Sequence, residues 1–170
     1  MPVFRKARPM ISQTSEYALR AVLYLAARPG DSPASAHDIA DSVRVPVGHL
    51  QKIMRTMAKN GILLAQRGTN GGFSLAKIPA AISILDILKA SDTEIQRITR
   101  CPLGIKGHTH LCSFHRIWDG EMARTERAFA STTLADLLDG DGGVRPLCDP
   151  AGRLPITISS DRSNGKETQR

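Results

Sequence analysis

Residues 35–61 read SAHDIADSVRVPVGHLQKIMRTMAKNG, and the fold turns on them. Ser35 and Asp38 have the spacing of a capping box, in which a hydroxyl and a carboxylate satisfy reciprocal backbone donors at a helix start. Ile39, Ala40 and Val43 follow as the apolar stripe of a short helix. After the brief connection Arg44-Val45-Pro46, another helix runs to about Lys59. It buries Leu50, Ile53, Met54 and Met57 at helical spacing, with the methionines read as core filler. Its other face shows His49, Gln51, Lys52, Arg55 and Lys59. Asn60-Gly61 then stops the helix.

Downstream, Ile62–Gln66 and Phe73–Ala76 are short β-prone segments joined by Arg67-Gly68-Thr69-Asn70-Gly71-Gly72. Three glycines permit the positive φ angles of a hairpin tip. A nucleotide-phosphate loop fails here, because no Gly-Lys-Ser/Thr follows and the chain enters a strand where a P-loop opens a helix. Upstream, Ala18, Val22 and Leu25 recur with Tyr17, Ala21 and Tyr24 on a helix of about four turns that Pro29-Gly30 ends. Beyond the hairpin, Ile82–Lys89 reads as a helix, and Ser91–Leu111 as an irregular connector broken by Pro102, Gly104 and Gly107. A long helix follows from about Ser113, on which Phe114, Trp118, Met122, Thr125 and Phe129 form a seam. That stripe can pack on its own domain or on a second copy of itself. Ser131-Thr132-Thr133 caps a last short helix through Leu138. Met1–Pro9 shows no periodicity and reads as a loose basic arm, and the tail beyond Asp139 has too little apolar content to order itself.

The 170 residues carry 23 Lys+Arg against 16 Asp+Glu, a formal charge of +7, but the excess is concentrated. From Ser42 to Leu85 stand Arg44, Lys52, Arg55, Lys59, Arg67 and Lys77 with no acid, and the flanks are nearly balanced. That window is the footprint of a polyanion partner. With 41% apolar residues but only 4% aromatic, the core rests on aliphatic side chains, which favours a mainly helical fold. No apolar run reaches the roughly 18 residues that span a bilayer, and no signal peptide is apparent. A cytoplasmic protein without membrane contact is expected. The odd count of three cysteines suits a reducing compartment.

Two helices joined by a short turn, the second with a basic polar face, followed by a glycine-tipped hairpin, make a winged helix-turn-helix. The acid-free window covers the second helix and the wing and little else. The expected fold is therefore mainly α, a winged helix-turn-helix DNA-binding domain with a β-hairpin wing and a long C-terminal helix. It divides into a flexible basic arm (1–9), the DNA-binding domain (10–90), a Cys/His sensor connector (91–112), the long helix, a dimerisation helix on the resemblance given below, with a short cap helix (113–139), and a disordered tail (140–170). Gln51, with Gly48 and Lys52 beside it, is placed to face base edges, Gln being able to pair bidentately with adenine. Arg55, Lys59 and Lys77 are read as phosphate contacts, and Arg67 as a minor-groove contact at the wing base.

The segments SEYALRAVLYLA (15–26), IADSVRVPVGHLQKIMRTMAKNGIL (39–63), RGTNGGFSLAK (67–77) and ISILDILKA (82–90) resemble the Rrf2 family of winged helix-turn-helix transcriptional regulators, of the IscR and NsrR kind, over about residues 10–138. The resemblance implies control of transcription, usually repression, from a pseudo-palindromic operator on double-stranded DNA. It also implies a homodimer through the helix containing Phe114, Trp118, Met122 and Phe129.

Cys101, His108, His110, Cys112 and His115 place two thiols and three imidazoles within fifteen residues, groups able to hold a metal or an iron–sulfur cluster. Cluster-binding members of the family carry three cysteines here; Cys101 matches the first and Cys112 approximately the last, while Gly107 and His108 stand near the middle one. Three readings stay open. Cys101 and Cys112 hold a two-iron cluster, with Glu16 of the partner subunit, as the resemblance suggests, or with His108, His110 or Cys148 completing the set. Alternatively the two thiols are a redox pair, or they are ordinary small groups with no sensor and no cofactor. Two rival functions are a nonspecific nucleic-acid-binding protein and a thiol-dependent enzyme using Cys101 or Cys112 with a histidine base.

Overall fold

Ser12 opens the first helix by accepting the Ser15 backbone N–H at 3.1 Å, and α1 then spans Gln13–Ala26. The computed structural model describes residues 11–30, 32–68, 71–101 and 110–139; the expected arm and tail, His108 and Cys148 lie outside them. Ala18 and Ala21 on α1 are fully buried, and their small size lets the next two helices approach closely. These are α2 (Ala36–Val43) and α3 (Val47–Lys59). Ile39, Ala40 and Val43 meet Leu50, Ile53, Met54 and Met57 in one core with Val22 and Leu25. Burial of each large aliphatic side chain contributes roughly 1.5–3 kcal/mol.

The turn between α2 and α3 is tighter than its sequence suggests. Arg44, at the α2 C-cap, has φ +54° and ψ +48°, a left-handed conformation that costs an L-residue about 1–2 kcal/mol. The Val45 backbone N–H donates to Ala40 O at 3.1 Å, and the Val45 side chain is buried, so the next residue holds the turn in place. The capping box expected at Ser35 is only half formed. Ser35 Oγ accepts the Asp38 N–H, but the Asp38 carboxylate takes the Ser35 hydroxyl at 2.8 Å in place of the backbone donor.

The wing is an antiparallel pair, β1 (Leu63–Gln66) and β2 (Gly72–Leu75), with Leu63 opposite Leu75 and Gln66 opposite Gly72. Ala34 extends it by exchanging both backbone hydrogen bonds with Phe73 at 2.8 and 2.9 Å. A Cβ at residue 72 would collide with the Ala34 carbonyl, so only glycine fits where the pre-α2 segment crosses the hairpin.

A single 3-10 turn at Pro79–Ala81 precedes α4 (Ile84–Ala90). The helix begins two residues later than its apolar pattern does, because Ser83 and Asp86 form a complete capping box. The hydrogen bond from the Ser83 hydroxyl is the main cause that lowers the Asp86 pKa. The connector leaves α4 at buried Ser91, whose hydroxyl donates to Ser15 Oγ at 2.8 Å. α5 covers Ser113–Ser131 and has no buried residue. The chain then returns through α6 (Leu134–Leu138), with Leu134 fully buried. The Ile84 N–H donates to Thr132 O and the Leu134 N–H to Ile82 O, both at 3.0 Å. Thr133 caps α6 in a second complete box with Asp136.

Candidate nucleic-acid interface and thiol segment

α3 sets its polar side outward as a strip. Gly48, His49, Lys52, Arg55 and Lys59 are exposed and Gln51 is half-buried. At 1.5 Å rise per residue, Gly48 to Lys59 covers about 16 Å, and positions three and four apart share a face. No side chain caps α3, and the His49 N–H donates to Pro46 O, which leaves the Val47 and Gly48 N–H groups to face an anion. Arg67, just after β1, and Lys77, just after β2, are also exposed. The sequence-selected groups therefore occupy α3 and the wing of one body, with no acidic side chain among Ser42–Leu85. Thr69 and Asn70 at the wing tip lie outside the described residues.

Cys101 is half-buried within the connector, and exposed Cys112 is the N-cap of α5; both thiols are free. Cys112 Sγ lies 3.2 Å from His115 Nδ1, and His110 is exposed. Among the described residues no three His, Cys, Asp or Glu side chains come together. Glu16 is committed elsewhere. Its carboxylate takes a 2.7 Å bond from Nη2 of Arg20, whose side chain is 2% exposed, and Arg20 Nε has no hydrogen-bond partner among the described residues. Turning Glu16 toward a metal would leave that guanidinium buried and unpaired, a change that costs roughly 3–5 kcal/mol. The described donors of one chain thus do not fit a cluster by themselves.

The sequence reading missed the group that ties the connector to α5. Arg97 donates from Nε and Nη2 to the two Asp119 oxygens at 2.7 Å each and from Nη1 to Glu126 at 3.4 Å. Asp119 also accepts the Ile98 backbone N–H at 2.9 Å. The Arg97 hydrogen bonds, with that of Ile98, bring the Asp119 pKa down to about 2. No periodicity links residues 22 apart, so nothing local in the sequence announces this pair.

A sequence model of the family described as "Rrf2: Iron-dependent Transcriptional regulator" matches residues 11–140. The chain belongs to the Rrf2 family. The NsrR regulator of Geobacillus kaustophilus is 31% identical over 150 residues, across 81% of this chain and 95% of its own. IscR of Yersinia pseudotuberculosis is 28% identical over 131 residues, across 76% and 79%. Among solved structures, CymR (YrzC), the global cysteine regulator of B. subtilis, matches with a TM-score of 0.66 at 24% identity, over 76% of this chain and 95% of its own, a likeness of fold. T. potens IscR matches at 0.61 and 25%, over 76% and 85%. As an Rrf2 member the chain is a DNA-binding transcriptional regulator, which sets aside the thiol-dependent enzyme. Its fold is the winged helix-turn-helix with a long C-terminal helix. No described helix is long and apolar enough to cross a membrane.

Proposed function

We propose that this Rrf2 protein is a homodimeric repressor that lays α3 in the major groove of a pseudo-palindromic operator and its wing in the adjacent minor groove. Gln51 reads a base edge beside Gly48 and Lys52; Arg55, Lys59 and Lys77 hold phosphates; Arg67 enters the minor groove. The observation that carries this reading is the coincidence of the acid-free window with α3 and the wing, whose named side chains are exposed or half-exposed. A solvated basic face has no reason to respect that boundary. Selection from a randomised duplex pool tests it. Gln51→Ala should cost about 1–3 kcal/mol at one base position per half-site, while Arg55→Ala should weaken all duplexes alike. Equal wild-type affinity for selected and scrambled duplexes at physiological salt contradicts the reading.

The dimer forms through α5, on the seam of Phe114, Trp118, Met122 and Phe129. Support comes from Phe114 and Trp118, 62% and 49% exposed in a helix with no buried residue. Cys101 and Cys112, at the two ends of the segment leading into α5, form its sensing element for iron–sulfur, redox or nitric-oxide status. The iron dependence in the family's description favours a cluster, which would draw its remaining ligands from the partner subunit or from outside the described residues. Anaerobic purification followed by an absorption spectrum and iron and sulfide analysis separates the chemistries. Iron-free protein with equal operator affinity under oxidising and reducing conditions removes the sensor and leaves the DNA reading standing.

A further inference from the structure

α1 touches the first turn of α3 through one aromatic contact. The Tyr17 ring meets the His49 imidazole edge to face, with centroids 5.7 Å apart and planes at 82°. Tyr17 is itself held in place: Gln13 Nε2 donates to its hydroxyl at 2.8 Å, and the Arg20 guanidinium carbon lies 5.9 Å from its ring centroid. Offset and edge-to-face pairs are the preferred aromatic geometries, so the contact restricts the rotation that an exposed histidine otherwise has. His49 remains exposed. It is the third residue of α3, next to Gly48 and one turn or less from Gln51 and Lys52.

That position favours a base over a phosphate. In a helix-turn-helix the N-terminal residues of the second helix meet base edges, and later turns meet backbone. Imidazole is shorter than lysine or arginine and reaches a base only where the helix comes close, which the missing side chain at Gly48 allows. Its ring N–H is a donor, and purine N7 is an acceptor open in the major groove.

We propose that His49 reads one base pair of each half-site by donating a ring N–H to a purine N7, and that Tyr17 is a positioning residue that sets the imidazole's angle. This assignment rests on the placement of α3 in the major groove, and its test separates the two. Wild-type protein and the His49→Ala and Tyr17→Leu variants are each used to select duplexes from one randomised pool. The wild type should select a defined sequence. His49→Ala should lose discrimination at one base pair per half-site, about 5- to 100-fold, and keep the rest. Tyr17→Leu should lose the same pair's discrimination without moving the others; Tyr17→Met replaces it if the leucine variant is unfolded by circular dichroism. Tyr17→Phe, which keeps the ring, should retain it. Replacing the purine at that pair by its 7-deaza analogue should weaken wild-type binding and leave His49→Ala binding unchanged. A wild type that selects no sequence overturns the placement of α3. An unchanged selection by His49→Ala, or equal losses on selected and scrambled duplexes, overturns the reading by His49 while leaving that placement intact. Wild-type discrimination at that pair in the Tyr17→Leu or Tyr17→Met protein overturns the positioning role.

Discussion

α3 and α5 carry the same kind of apolar periodicity and meet opposite surroundings. In α3, Leu50, Ile53, Met54 and Met57 are buried among α1, α2 and β1. In α5, 19 residues long, none is buried, and Phe114, Ile117 and Trp118 are 62%, 68% and 49% exposed. Periodicity says that a face wants cover; it does not say whose. α3 finds its cover within the chain and turns a polar strip to solvent. α5 is tied to its own domain through Arg97 to Asp119 and through Thr132 to Ile84, while Phe114, Ile117 and Trp118 stay exposed and Met122 and Phe129 are half-buried.

The contrast can be broken or sharpened by measurement. Leu50→Ala should have the largest effect, about 2–5 kcal/mol lost from the unfolding free energy, read by urea denaturation and independent of protein concentration. Trp118→Ala should weaken self-association by about 2 kcal/mol or more, as truncation of a buried interface aromatic does. Sedimentation equilibrium reads that loss, while helix content at high dilution stays that of wild type. If the two variants lower stability equally at every concentration, α5 is a core helix and the contrast fails. Ser83→Ala removes the cap of α4 and should cost about 1 kcal/mol, because the hydroxyl binds both the Asp86 N–H and its carboxylate. The smallest effect concerns Asp119. Its carboxyl is held at about 2, below the ordinary 3.8, so the stabilisation is present above pH about 4 and disappears as pH falls through about 2. Asp119→Asn should flatten that part of the acid limb in thermal melts; an identical limb in wild type and variant would remove the Arg97 tie from the account of α5.

Most helices could be read locally, because the residues that make them lie within one or two turns of each other. Leu50, Ile53, Met54 and Met57 name the buried side of α3 by spacing alone, and the same spacing leaves Gln51, Lys52, Arg55 and Lys59 opposite. The misreadings are equally local in cause. Ser35 and Asp38 have capping-box spacing, yet the Asp38 carboxylate chose the hydroxyl over the backbone donor. Ser83 and Asp86 complete a box inside a run read as helix from Ile82, and the helix starts later for it. Arg44 takes a left-handed turn that no glycine advertised. At the candidate site, the α3 and wing residues could be chosen from charge and period, whereas Tyr17 against His49 and Arg97 on Asp119 join residues 32 and 22 positions apart.

From the chain alone come the identity of the helices, the acid-free charge window and the glycine-tipped wing, since each depends on neighbours in sequence or on composition. Tertiary structure decided which apolar faces find cover and that α1 buttresses the first turn of α3. Those outcomes depend on pairs far apart in the chain, whose contacts become favourable only after helix and strand formation has reduced the entropy of bringing them together. The seam on α5 lies between the two: its sequence declares an apolar stripe, and the fold of one chain half-covers Met122 and Phe129 while leaving Phe114 and Trp118 exposed.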